Sequence, residues 1–199
     1  VEGSLKRLKT DYIDLYQIHW PQRPVNSFGK LGYDQNSITG READVILETL
    51  QTMGDLVKAG KIRHVGLSNE TPWGLMTYLR LAAANDVPRV VSIQNPYNLL
   101  NRTFDVGLGE MAMQEKAGLL AYSPLAAATL TGKYLDGNIP PGTRRAIDTR
   151  TSRYDRPGVD DVVRKYLAIA KKHGLDAAQM ALAYVNGRPF TTSNIIGAT

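Results

Sequence analysis

The feature that most constrains this chain is an alternation, repeated five times, of a short β-branched or aromatic run with an amphipathic run of helical period. The short runs are Tyr12–Ile18, Ile62–Leu67, Val90–Gln94, Gly118–Tyr122 and Thr192–Ile196. Each stops at polar, proline or glycine punctuation, as strands do. Thr39-Gly40-Arg41-Glu42 reads as a capping box. It opens a helix whose Ala43, Ile46, Leu47, Leu50, Met53 and Val57 share one face, with Gly60 as its stop. Thr71-Pro72 supplies an N-cap and a proline at the first helical position, ahead of Trp73, Met76, Leu79 and Ala83. Further helices are expected over about 105–116, 159–173 and 176–187. Val1 to Lys9 reads as the end of another. Strands alternating with helices predict an α/β fold, with parallel strands joined by right-handed crossovers.

Two architectures satisfy that pattern. One is an open five-stranded doubly wound sheet. The other is the C-terminal part of a (β/α)8 TIM barrel, a fold of about 250 residues, of which 199 residues could supply five β/α units without the first three strands. The chain begins without Met and its last strand has no helix after it to cover it, which favours the barrel segment. A single domain over 1–199 is expected. The hydrophobic share of 43% and charged share of 22% argue against disorder. With no cysteine, the sequence offers no disulfide scaffold, thiolate metal site or catalytic thiol, and leans towards a cytoplasmic protein. No apolar run is long enough to span a bilayer, so no membrane partner is expected.

The net charge of +5 is concentrated. From Lys133 to Arg156 stand six basic residues (Lys133, Arg144, Arg145, Arg150, Arg153, Arg156) against three acidic ones. This Gly/Pro-containing segment reads either as a solvated loop or as a loop that closes over a phosphate-bearing small molecule. It is not patterned as a nucleic-acid-binding element.

Polar or aromatic residues gather where the strands stop: His19 and Trp20, Ser68 and Asn69, Gln94 and Asn95, Tyr122 and Ser123. In both architectures ligands bind at that edge. Any one of these residues could serve a turn or a cap. Four in series suggest a pocket lined by amides and hydroxyls, suited to orienting an amide or a carbonyl. Ile13, Leu15, Gln17 and His19 share a strand face, which places His19 at the mouth of a barrel interior. His64 lies within a strand, and His173 ends a helix, where the dipole favours it. No metal-ligand spacing, Walker loop, Rossmann glycine fingerprint or nucleophile elbow is present; Val106-Gly107-Leu108-Gly109 lies in a stretch read as helical.

The ordered set of strand ends resembles the aldo-keto reductases. Asp11-Tyr12-Ile13-Asp14-Leu15-Tyr16-Gln17-Ile18-His19-Trp20-Pro21 is similar to their fourth barrel strand, and Gly60-Lys61-Ile62-Arg63-His64-Val65-Gly66-Leu67-Ser68-Asn69 to their fifth. Gln94-Asn95-Pro96-Tyr97-Asn98, Tyr122-Ser123-Pro124-Leu125, Leu130-Thr131-Gly132-Lys133-Tyr134 and Ile196-Gly197-Ala198-Thr199 continue the series. His19-Trp20-Pro21-Gln22-Arg23-Pro24, Phe28-Gly29-Lys30-Leu31-Gly32-Tyr33 and Ser68-Asn69-Glu70-Thr71 resemble one bacterial member more closely.

The resemblance implies a (β/α)8 barrel that binds NADP(H) in extended form and reduces aldehydes and ketones. By position, His19 resembles the catalytic histidine that orients the substrate carbonyl. Ser68, Asn69 and Gln94 resemble the residues that hold the nicotinamide carboxamide. Tyr122 resembles the aromatic that stacks on the nicotinamide ring. Ser123, Pro124, Leu125 and Ala126 would follow the cofactor outward, Lys133 and Arg144 would face its phosphates, and Gly197 and Thr199 would begin the adenosine phosphate site. Trp20 would wall the substrate pocket. The family's proton-donating tyrosine, with its lysine and aspartate, belongs to strands before the fourth. Tyr12, Tyr16, Tyr97 and Tyr122 match other positions. The chain alone is therefore expected to be inactive and, with open sheet edges, to self-associate. The alternative implied by the family is a non-catalytic NADPH-binding subunit that reports redox state.

Overall fold

A computed structural model of the chain describes residues 1–26, 32–148 and 153–197. It is an α/β fold with one five-stranded sheet whose strands follow chain order. The chain divides into two compact units, residues 1–94 with 110–118, and residues 95–109 with 119–199.

In the first unit, α1 (Glu2–Leu8) buries Leu5 and ends at Lys9 in the left-handed conformation. It leads into β1 (Ile13–Ile18), which pairs in parallel with β2 (Ile62–Ser68), Gln17 opposite Gly66. Between them, α2 (Glu42–Lys58) buries Ile46, Leu50 and Gly54. Gly54 permits a close approach, since a Cβ there would stand 3.2 Å from the Pro88 ring. After β2, α3 (Pro72–Ala84) starts as expected: Thr71 caps it by accepting from the Gly74 N–H, and Pro72 fills a position that needs no donor. β3 (Val90–Pro96) pairs in parallel with β2, Ser68 opposite Gln94. Ile62, Val65, Leu67, Leu75, Val90, Ile93 and Leu50 are all but fully buried, and burial of such side chains is the main drive for folding.

Two sequence expectations shift. The Thr39–Glu42 box is half formed. Glu42 Oε1 accepts from the Thr39 N–H and hydroxyl, but Thr39 Oγ1 accepts from Arg41 N rather than from a helical N–H, and Arg41 is the N-cap. The helix read over 105–116 is interrupted. A 3-10 turn at Thr103–Asp105 precedes Gly107, whose φ of 85° breaks helical geometry, and α4 is only Leu108–Gln114. The chain leaves α4 through Lys116 at φ 52°, and Gly118 opens β4.

In the second unit, β4 (Gly118–Tyr122) pairs in parallel with β5 (Thr191–Ile195). The long connection carries a four-residue α5 (Arg144–Ile147), then α6 (Val159–Lys172) and α7 (Ala177–Asn186). Asp176 caps α7 by accepting from Gln179 N. One core group here is Ala126, Leu130, Tyr154 and Ala181, with Leu99, Leu100, Leu125 and Tyr166 packed around it. A second is aromatic: Tyr97 and Phe104, both buried, meet Phe190 at ring distances of 5.3 and 5.2 Å. Among the described residues no helix is long and apolar enough to cross a membrane.

Candidate functional site

In the first unit the sequence-expected residues come together at the ends of β1, β2 and β3. Gly66 makes this possible. A Cβ on it would lie 2.6 Å from Ser92 Oγ and 3.2 Å from both Gln17 Cγ and Leu15 Cδ1. The missing side chain lets Gln17 extend, so its Nε2 donates to Gln94 Oε1 at 2.9 Å. Gln94 Nε2 has no hydrogen-bond partner among the described residues. Ser68, buried, donates its hydroxyl to the Gln94 carbonyl at 3.0 Å. Asn69 stands in the left-handed region at φ 57°, a conformation asparagine tolerates better than most residues. From there its Nδ2 donates to the His19 carbonyl at 2.9 Å and to Ser68 Oγ at 3.1 Å. His19 and Trp20 are exposed, their rings stacked at 4.4 Å.

Arg23 and Glu70 form a buried, two-pronged ion pair beside this cluster, at 3.0 and 2.5 Å. In the sequence neither residue stands out for a role. Glu70 reads as an ordinary acid ahead of a helix, and nothing local announces a partner 47 positions away.

In the second unit, Tyr122 ends β4 half-buried, with the Arg153 guanidinium 5.7 Å from its ring centre. Ser123 turns at φ 56°. Ala126, Ala127 and Ala128 then run consecutively at φ 50°, 55° and 70°. Left-handed backbone costs about 1–2 kcal/mol per L-residue, so this turn is held against its own preference. Asn98, fully buried, helps hold it. Its Nδ2 donates to the Ser123 carbonyl and to the Tyr154 hydroxyl, both at 2.8 Å, and its Oδ1 accepts from Leu100 N at 2.9 Å. Burial raises the Tyr154 hydroxyl above the usual tyrosine range. The Tyr97 hydroxyl is pushed up too, by burial first and then by Tyr184 and Asp105, to which it donates at 2.8 Å. Asn98 was visible in sequence only as part of a family motif.

Pro124 and Ala126 are buried and Leu125 packs on the core. Lys133 and Arg144 are exposed, with Lys133 Nζ 5.3 Å from the Tyr134 ring, and Gly197 is exposed after β5. Within the basic segment Arg145 is internally engaged: it pairs with Asp155, reaches Thr129 Oγ1 at 3.4 Å and stacks at 4.3 Å on Tyr134. Thr199, Ala198, Arg150 and residues 28–31 of the quoted motifs lie outside the described residues. Among the described residues no group of three or more His, Cys, Asp or Glu could hold a metal ion.

A nicotinamide carboxamide fits the first-unit donor set in kind. The hydroxyl of Ser68 and the amides of Asn69 and Gln94 offer neutral donors and acceptors, and Gln94 Nε2 is left over from the internal network.

A sheet of parallel strands joined through helices, with amide and hydroxyl side chains at the strand ends, defines an α/β protein. The profile of the aldo/keto reductase family matches residues 1–199, and the chain belongs to that family. It is 54% identical over 199 residues to the protein tas of Escherichia coli (strain K12), covering 100% of this chain and 57% of that protein. It is 39% identical over 209 residues to an aldo-keto reductase of Babesia bovis, covering 100% and 73%. Among solved structures, the glycerol dehydrogenase AKR11B4 from Gluconobacter oxydans matches with a TM-score of 0.72 at 27% identity, covering 99% of this chain and 53% of that one. The fold thus matches a fragment of an aldo-keto reductase TIM barrel, and the chain spans little more than half the length of the first and last of these proteins.

Proposed function

We propose that a full-length protein carrying this segment is an NADPH-dependent reductase of aldehyde or ketone carbonyls. In this reading the segment supplies the nicotinamide-binding edge and the histidine beside the substrate. The observation that carries it is the hydrogen-bonded set Gln17–Gln94–Ser68–Asn69–His19, which joins three strand ends through neutral groups. When bound, the cofactor supplies a hydride equivalent to a carbonyl carbon. The chain's own residues do the rest. Ser68, Asn69 and Gln94 hold the carboxamide, Tyr122 gives its ring a stacking surface, and Ser123 to Ala126 follow the cofactor outward. Lys133, Arg144, Gly197 and Thr199 receive its phosphates. His19 donates a hydrogen bond to the substrate oxygen, and Trp20 walls the pocket. The tyrosine that protonates this oxygen, with its lysine and aspartate, belongs to the part of the family's barrel that precedes β1. The 199-residue chain alone is therefore inactive and self-associates through open sheet edges. The protein works in the cytoplasm, without membrane or nucleic-acid partners.

The test is NADPH absorbance at about 340 nm with 4-nitrobenzaldehyde, using the full-length protein and the 199-residue chain side by side. Turnover by the long form alone supports the reading, and His19→Gln in that form should lower kcat about 10²-fold or more. Replacing NADPH with NADH measures the cofactor preference. Tight NADPH binding with no oxidation by any carbonyl offered refutes catalysis and leaves a binding protein. A monodisperse monomer of the short chain in sizing chromatography refutes the self-association.

A further inference from the structure

His19 and Trp20 are both exposed, yet a residue that orients a substrate must be held still. Their mutual stacking does not anchor either to the fold. Two ties do, one on each side. Upstream, Asn69 Nδ2 grips the His19 carbonyl. Downstream, three residues past Trp20, stands Arg23. Its guanidinium meets both Glu70 oxygens, reaches Thr71 Oγ1 at 3.1 Å and lies 4.9 Å from the Trp73 ring centre. Glu70 is itself fixed, since Oε1 also accepts from the Thr71 N–H at 2.7 Å.

The surroundings are shaped for this contact. A Cβ on Gly74 would stand 2.0 Å from Glu70 Oε1 and 2.4 Å from Arg23 Nη2. Pro21 and Pro24 flank the arginine and fix two φ angles of the connection. With Arg23 pinned, the backbone between it and His19 has little freedom. A buried ion pair is a poor source of stability, because desolvation offsets much of the attraction. Its better-attested use is to select one arrangement, here of the loop after β1 on the start of α3.

We infer that the Arg23–Glu70 pair is a positioning device that sets Trp20, and through it His19, against the substrate. The inference rests on the reductase reading for the word substrate, but the ordering of Trp20 stands apart from it. The stretch Ser68-Asn69-Glu70-Thr71 then carries four tasks in sequence: cofactor amide contacts, the grip on His19, the anchor for Arg23, and the cap of α3. Loosening Arg23 disturbs the substrate side and leaves Ser68, Asn69 and Gln94 in place.

The test uses the full-length protein with Arg23→Lys, Arg23→Met, Glu70→Gln and the apolar pair R23M/E70M. Trp20 and Trp73 are the only tryptophans in these 199 residues. Labelling with 5-fluorotryptophan and assigning by Trp20→Phe gives each a fluorine resonance to follow. The expected result is a shifted or broadened Trp20 signal in every variant. KM for a bulky aldehyde should rise about tenfold or more, with NADPH affinity within about twofold of the parent. Arg23→Lys keeps the charge but lacks the fork, so it should not rescue either readout. The apolar pair keeps the fold if the single changes do not, and should still show a disturbed Trp20. An unaltered Trp20 signal and KM in a folded variant overturn the inference. So does a loss of kcat and NADPH affinity that merely tracks the melting temperature. A Trp20 signal ordered in the parent and disturbed in the variants, in a protein that reduces no carbonyl, removes the reductase reading and retains the coupling.

Discussion

Asn98→Ala tests how the turn after β4 is held. The native side chain is fully buried and makes three hydrogen bonds, to Ser123 O, the Tyr154 hydroxyl and Leu100 N. Each buried group stripped of its partner costs about 1–3 kcal/mol. The three do not count equally. Ser123 O also accepts from Ala126 N at 2.9 Å, and Tyr154 has a further contact through Asn101, so each loses one partner of two. For Leu100 N the loss removes the partner shown. The expected destabilisation is therefore about 2–4 kcal/mol, below the simple sum. Urea unfolding of the full-length protein followed by circular dichroism measures it, with the slope m unchanged if the native state keeps its compactness. A cycle with Tyr154→Phe should show coupling of about 1 kcal/mol, because the Asn98–Tyr154 bond is direct. A loss under about 1 kcal/mol, or strict additivity in the cycle, would refute the claim that this amide holds the turn. Asn98→Asp sharpens the test. A carboxylate there faces the Ser123 carbonyl, so its folded pKa rises. That variant should be more stable below the unfolded aspartate value near pH 4, and lose stability as pH rises through the folded value.

Three other outcomes are expected. Gly66→Ala should cost about 1–3 kcal/mol and weaken NADPH binding, since Ser92 Oγ can swing away from the new methyl but Gln17, which orients Gln94, must move with Leu15; melting temperature and cofactor titration check both. Tyr78, Tyr97 and Tyr154 are all raised above the ordinary value, with burial as the leading cause in each. They hold their protons in the fold and release them when unfolded, so stability is intact below about pH 10 and falls above it; the share of phenolate absorbance that these three contribute should appear with unfolding rather than before it. Phe104→Ala should cost about 3–5 kcal/mol by urea titration, since its ring is buried between Tyr97 and Phe190.

The strands, most helices and the polar strand ends were legible because they are local. Period and punctuation place β2, α3 and the Thr71 cap within a residue or two. Ser68, Asn69, Gln94 and His19 were legible as a set because the strands are parallel and end on the same side of the first unit. What the sequence concealed depends on distance or on backbone angle. Arg23–Glu70 and Asn98–Tyr154 join residues 47 and 56 positions apart, so no window reads them. Gly107 looked compatible with a helix because glycine gives no hint of the sign of φ it will adopt. Thr39 and Glu42 have the spacing of a full box, but the chain enters α2 two residues later than the motif assumes, and the threonine caps a turn instead. Arg145, one of several equivalent basic residues in the sequence, became distinct only through Asp155 and Tyr134.

The alanine triplet at 126–128 acts as a filter on tolerated sequence, independent of any ligand. Its backbone admits glycine, asparagine and aspartate readily and penalises valine, isoleucine and threonine. Ala127→Gly and Ala128→Gly, uncharacteristically for such exchanges, should leave the fold as firm or firmer, because relief of the turn offsets the looser unfolded chain. Position 126 should refuse anything larger than its methyl group, being wedged against Leu130 and Tyr154 as well as twisted.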